Sequence, residues 1–184
     1  MSISTTTPLE ISDHQDVFQL LSLLLQYPDQ EDFDWTALRD GVRQLSNFKI
    51  SQPLELFLNY LEGQSPKNLG ITYVNTFDFN PVTTFYLTYA RYGEEKERGE
   101  TLVQLKELYE EAGFALITEE LPDYLPLILE FVSVAPLAVS CRILKDFQSD
   151  IDRLQKELAK SENPYAWVLE ALQIEMNEYQ IEMI

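Results

Sequence analysis

The residues that could do chemistry are few: one histidine, one cysteine and many carboxylates in a chain of 184 residues. His14 lies beside Asp13 and Asp16 in what the spacing predicts to be the first turn of a helix, where it is expected to face water. Cys141 falls on the core-facing side of another predicted helix, and a buried thiol is inert. Neither residue is given a base or an orienting group, so no nucleophilic dyad is expected. One His and one Cys cannot build a Cys/His zinc site within one chain. Nor can they supply the two Glu-x-x-His motifs of a di-iron bundle. No Gly-x-Gly-x-x-Gly or Gly-x4-Gly-Lys-Ser/Thr loop offers a phosphate cradle. The cluster Glu119, Glu120 and Asp123 resembles acid–base machinery. It reads more simply as acids complementing a helix dipole at a start that Pro122 also suits. The residues predict a protein without catalytic chemistry, metal or cofactor.

Acidic residues number 31 against 13 basic, a formal charge of −18. That balance argues against binding a nucleic-acid backbone, which needs Lys and Arg, and against docking on anionic lipid. Residues 1–34 hold seven acids and no base, and 161–184 hold five acids and no base. With 45% apolar residues the acidity is not a sign of disorder, and at this length one core buries roughly 70% of the unfolded chain's surface without a staple. A single cysteine fits a reducing compartment. The apolar run Val17–Leu25 follows acids rather than the basic region a signal peptide needs. Tyr124–Val139 is interrupted by Pro126, Glu130 and Pro136 and is too short to span a bilayer. No stable membrane insertion is expected.

The elements that must position these groups are helical almost throughout. Val17, Leu20, Leu21, Leu24 and Leu25 share one face of a first helix capped by Ser12 with Gln15, and residues 1–11 are expected to be a flexible N-terminus. Further helices are expected after Asp34, after Ser51 with Pro53 in the first turn, and from Ser65-Pro66 toward Phe77. Asn80-Pro81 breaks the chain before a short helix with Phe85, Tyr86 and Tyr89 that ends near Gly93. Residues 94–112 follow, closed by Gly113, then a helix from Leu121-Pro122 to about Pro136. Leu137 to Leu158 continue at steps of three and four. The last helix, behind Ser161 or Asn163, carries Tyr165, Val168, Leu169, Leu172, Met176 and Tyr179. No strand pair or repeat is evident. The expectation is an all-α, single-domain bundle of about eight or nine helices spanning 1–184.

One stretch stands out. Tyr73, Phe77, Phe79, Phe85, Tyr86, Tyr89 and Tyr92 fall within twenty residues. Singly each is ordinary core. Together they suit the hot spots of a peptide-binding groove, and the surrounding acidity would steer a basic peptide toward it.

Four runs carry a resemblance. Tyr73-Val74-Asn75-Thr76-Phe77-Asp78-Phe79, then Tyr86-Leu87-Thr88-Tyr89, then Arg98-Gly99 with Leu102, resemble the NarJ family. So, most specifically, does Glu120-Leu121-Pro122-Asp123-Tyr124-Leu125-Pro126-Leu127-Ile128-Leu129-Glu130-Phe131. This last run is also similar to the Glu-Pro-x-Asp-His pattern of the wider redox-enzyme maturation chaperones. The likeness covers roughly residues 15–160. It departs at Tyr92–Gly99, which is more acidic than the family's Gly-Asp-x-Arg-x-Arg-Gly, and at Ile184, where the sequence stops earlier than in many members. The resemblance implies a helical cytoplasmic chaperone, not an enzyme. It implies binding of the N-terminal segment of a molybdoenzyme catalytic subunit, so that molybdenum cofactor is inserted before docking on the membrane. Glu120, Pro122, Asp123 and Tyr124 match the motif, and Tyr86 to Tyr89 a second one. The expected groove comprises these with Phe79, Leu127, Glu130 and Phe131, and Glu120 and Asp123 are expected to pair with peptide cations. Two alternatives stand beside it: a chaperone for a client with a twin-arginine signal, and an acidic decoy that mimics nucleic acid. The sequence leaves the oligomeric state open.

Overall fold

The computed structural model describes residues 14–28 and 34–181. Among them are nine α-helices: α1 His14–Leu24, α2 Trp35–Gln44, α3 Phe48–Glu62, α4 Pro66–Tyr73, α5 Leu87–Tyr92, α6 Lys96–Glu111, α7 Leu125–Val132, α8 Leu137–Lys160 and α9 Tyr165–Ile181. A π-helical turn, Val74–Asp78, prolongs α4. The expected all-α class holds. Among the described residues the sole β-type pairing is one isolated antiparallel bridge, Tyr86 to Tyr124. The expected Ser12 cap and the stretch 1–11 lie outside the described residues.

α9 is the central element. It packs against α1, α3 and α8, while α7 packs on α1 and α8. Its stripe Tyr165, Val168, Leu169, Leu172, Met176 and Tyr179 is buried as the 3.6-residue period predicts. Asn163 supports its start, its side-chain Oδ1 accepting from the Tyr165 N–H at 3.0 Å. On the far side, α5 bridges α6 and α8. Gly113 takes φ +89°, the left-handed conformation expected just past the end of α6.

Three boundaries differ from expectation. α3 begins at Phe48, because the Asn47 side chain accepts from the Lys49 N–H at 3.0 Å and caps it there, leaving Pro53 inside the helix. α5 begins at Leu87, so Phe85 and Tyr86 precede it. α7 begins at Leu125, not at Leu121-Pro122, with Pro126 in its first turn. There the backbone is drawn into the bridge, Leu87 N–H donating to the Asp123 carbonyl (3.1 Å) and Leu125 N–H to that of Phe85 (2.9 Å). Glu119, Glu120 and Asp123 therefore do not occupy a first helical turn. His14 also departs from the expected solvent-facing position: its Nδ1 lies 2.6 Å from the buried Glu175 carboxylate of α9. Its ring meets Tyr179 edge-on at 5.2 Å.

Candidate functional site

The seven clustered aromatics divide into two sets. Tyr73, Phe77 and Phe85 are core, each at most 3% exposed. Phe77 stacks on Phe85 with centroids 3.8 Å apart, and both Tyr73 and Phe77 meet Tyr165 edge-on. The remaining four reach the surface. Phe79 is 77% exposed at the end of the π-helical turn. Tyr86, which precedes α5, and Tyr89 and Tyr92 within it are half-buried and recur every three residues.

The bridge brings the two motif segments together. Tyr86 and Tyr124 place their rings 5.4 Å apart, and the Tyr86 hydroxyl donates to Glu120 Oε2 at 2.6 Å. The Tyr73 hydroxyl donates to the Leu25 carbonyl at 3.1 Å, so the 2.8 Å bond between the two hydroxyls has Tyr124 donating to Tyr73. Burial, and then the bond to Glu120, push the Tyr86 phenol above its ordinary range. Tyr124 is pushed up to about 12, mainly by burial. Both stay neutral and available as aromatic, hydrogen-bonding surface. Asp78 joins this face from the π-helical turn. Partial burial, and then the nearby Glu120 charge, hold its carboxyl above the usual carboxylate range. The Tyr86 ring and the carboxylates of Asp78 and Glu120 thus lie at the bridge, with the exposed Phe79 next to Asp78 in the chain.

Of the expected groove residues, Tyr86, Glu120, Asp123 and Tyr124 are joined directly, but not all of them face outward. Asp123 has no exposed surface and Pro122 is buried. The Asp123 carboxylate accepts from the Thr88 N–H (3.1 Å) and hydroxyl (2.5 Å), and Tyr109 donates to the Pro122 carbonyl at 2.8 Å. Asp123 is therefore enclosed, and its expected contact with a peptide cation has no open path. Phe131 turns inward against Tyr109 and Phe114, with centroids at 4.3 and 5.4 Å. Tyr89 lies beneath the Arg98 guanidinium, 5.1 Å from its ring centre. Glu130 is exposed and Leu127 half-buried; among the described residues no side-chain hydrogen bond or ion pair ties either to the Tyr86–Glu120 group. The structure adds Asp78, Thr88 and Arg98, which the expected groove lacked. Asp78 carried a signal, standing next to Phe79 inside the first motif run. Thr88 and Arg98 also stood in the quoted runs, but their part in the site emerges only from how α5 meets α6 and the 119–124 segment.

A second concavity of about 230 Å³ opens between α6 and α8 and is bordered by Tyr92. Its Arg91 is committed, pairing with the buried Asp150 and donating to the Asp146 carbonyl at 3.0 Å. Among the described residues no group of three or more His, Cys, Asp or Glu is disposed to hold a metal ion. No described helix is long and apolar enough to cross a membrane.

The fold and the site define an all-helical bundle with an aromatic and carboxylate patch around the Tyr86–Tyr124 bridge. The model of the family described as nitrate reductase delta subunit matches residues 46–169, and the chain belongs to that family. Over 168 residues it is 38% identical to a Bacillus subtilis (strain 168) protein named a probable nitrate reductase molybdenum cofactor assembly chaperone NarJ, covering 89% of this chain and 90% of that one. The NarJ chaperone of Escherichia coli (strain K12) is 31% identical over 160 residues, 83% of this chain and 66% of its own length. The same organism's probable assembly chaperone NarW is 30% identical over 120 residues, 65% of this chain and 50% of its own. Membership sets aside the reading as an acidic decoy.

Proposed function

We propose that this protein is a cytoplasmic assembly chaperone for a nitrate reductase, acting as one domain. In this reading it holds the N-terminal segment of the molybdenum-containing catalytic subunit while cofactor is inserted and before the subunit docks on its membrane partner. The names borne by its relatives support the client class. The observation that carries the peptide reading is the half-buried Tyr86 ring bonded to the exposed Glu120, with the exposed Asp78 and Phe79 supplied by the π-helical turn. Aromatic rings there supply contact area at small entropy cost, and the two carboxylates suit a Lys, an Arg or a terminal amine. Ordering a short segment on binding uses up part of the interaction energy, which keeps the complex reversible, as release of the client requires. The names favour a nitrate reductase over a twin-arginine client.

Calorimetric titration with synthetic N-terminal peptides of a nitrate reductase catalytic subunit tests this reading. Binding of those peptides, and not of a twin-arginine signal peptide or a scrambled control, is the expected outcome. Tyr86→Ala should weaken the complex by more than about 1 kcal/mol as a truncated aromatic anchor. Glu120→Gln should cost less, about 0.2–1 kcal/mol, because its carboxylate is exposed to solvent. Unchanged affinity in both variants would place the peptide elsewhere on the bundle.

A further inference from the structure

Asp123 sits where the two halves of the ligand face are joined, yet it is fully enclosed. Its neighbours show what it does there. α5 is only six residues long, and the residue preceding it, Tyr86, offers no side-chain cap. The first N–H groups of any helix lack partners within the helix. In α5 the Leu87 N–H donates to the Asp123 carbonyl at 3.1 Å, and the Thr88 N–H to the Asp123 carboxylate, also at 3.1 Å. One residue, 35 positions away, thus satisfies the first two donors. The Thr88 hydroxyl donates to the same carboxylate oxygen, Oδ2, at 2.5 Å, and accepts from Arg98 Nε at 3.3 Å. The other oxygen, Oδ1, is buried with no hydrogen-bond partner.

We infer that Asp123 is a positioning residue: it caps α5 from a distant segment, holds Tyr86 against Glu120, and makes no contact with the bound peptide. This rests on the reading that Tyr86 and Glu120 meet the client. A single oxygen accepts both Thr88 donors, so the geometry needs an acceptor at that point and not a charge. Asparagine supplies such an acceptor and caps helices as well as aspartate does. Its amide nitrogen takes the place of the unpartnered Oδ1. A residue that paired with a peptide cation would need its negative charge, and asparagine would fail there as badly as alanine.

The experiment compares Asp123→Asn with Asp123→Ala in the full chain, using a client N-terminal peptide as probe. It reads affinity at two salt concentrations, and amide hydrogen exchange at Thr88 without peptide. Asp123→Asn should bind within about threefold of wild type, keep its salt dependence and keep Thr88 protected. Asp123→Ala should lose affinity roughly tenfold or more and expose Thr88 to exchange, because a buried donor is left unpaired. If Asp123→Ala fails to fold, Thr88→Val replaces it, keeping the amide donor but not the hydroxyl, and an intermediate loss is expected. The inference is overturned if Asp123→Asn loses as much affinity as Asp123→Ala while Thr88 stays protected, or if its salt dependence flattens, since either assigns the charge to the peptide. It is overturned equally if Asp123→Asn alone unfolds the protein. A wild-type chain that bound no such peptide would sink the reading of the ligand face instead, and the cap would still be judged by exchange at Thr88.

Discussion

Asp78 carries a cost that the folded protein tolerates at the proposed ligand face. Partial burial, and then the Glu120 charge, raise its carboxyl above the range it has in the unfolded chain. Between the unfolded and folded values the folded state binds more protons, so stability falls as pH rises through that window and stays lower above it. Asp78→Asn removes the penalty. It should melt at a higher temperature than wild type at pH 7, with the difference vanishing near about pH 3, where the carboxyl is protonated in both states. Thermal melts at the two pH values check this, and equal melting temperatures at pH 7 would remove the argument for a strained carboxylate pair. A bound cation relieves the same penalty. Wild-type affinity for a cationic peptide should therefore climb with pH across this window, and that of Asp78→Asn should climb less.

At the scale of elements, the start of α9 is tied to the π-helical turn through one side chain. Asn163 accepts from the Tyr165 N–H at 3.0 Å and donates to Thr76 Oγ1 of the π-helical turn at 2.9 Å. Asn163→Ala should cost about 0.5–2 kcal/mol for the cap alone. The melting temperature falls by about 2–4 °C per kcal/mol at this chain length, which calorimetry reads directly. An unaltered melting temperature would mean that Pro164 and the packing of Tyr165 fix the start without it. The apolar stripe of α9 was legible in the sequence because its period depends on nothing outside the helix. The same holds for Gly113, whose left-handed φ ends α6. The start of α7 was not legible. Pro122 and Pro126 give the same local signal, and only the backbone bridge from Phe85 to Leu87 selects the second. Asp123 was misplaced for that reason: a cap reached across 35 residues leaves no local trace. His14 is a stronger case, since its carboxylate partner lies 161 residues away. The candidate site was legible in its aromatics and in Glu120; its inner support was not, because it exists only once α5, α6 and the 119–124 segment are packed.

For the molecule as a whole, the charge of −18 acts on folding and on binding with opposite salt dependence. Like charges spread over one bundle repel and oppose compaction, and added salt screens that repulsion. The ion pairs among the described residues offset little of it, since most involve exposed side chains, as in Lys96 with Glu100. Raising the salt from about 0.01 M to 0.15 M shortens the screening length from about 30 to 8 Å. The melting temperature should rise over that range. The same screening weakens the long-range pull on a cationic peptide, so the association rate should fall while the dissociation rate, set by Phe79 and Tyr86 in contact, changes little. Stopped-flow binding and thermal melts in one salt series separate the two. A client held by apolar contact alone would show an association rate indifferent to salt even as the fold gained stability. The steering described here requires the two quantities to move apart, with Glu120→Gln and Asp78→Asn each reducing the slope of the association rate and leaving its high-salt limit near that of the wild type.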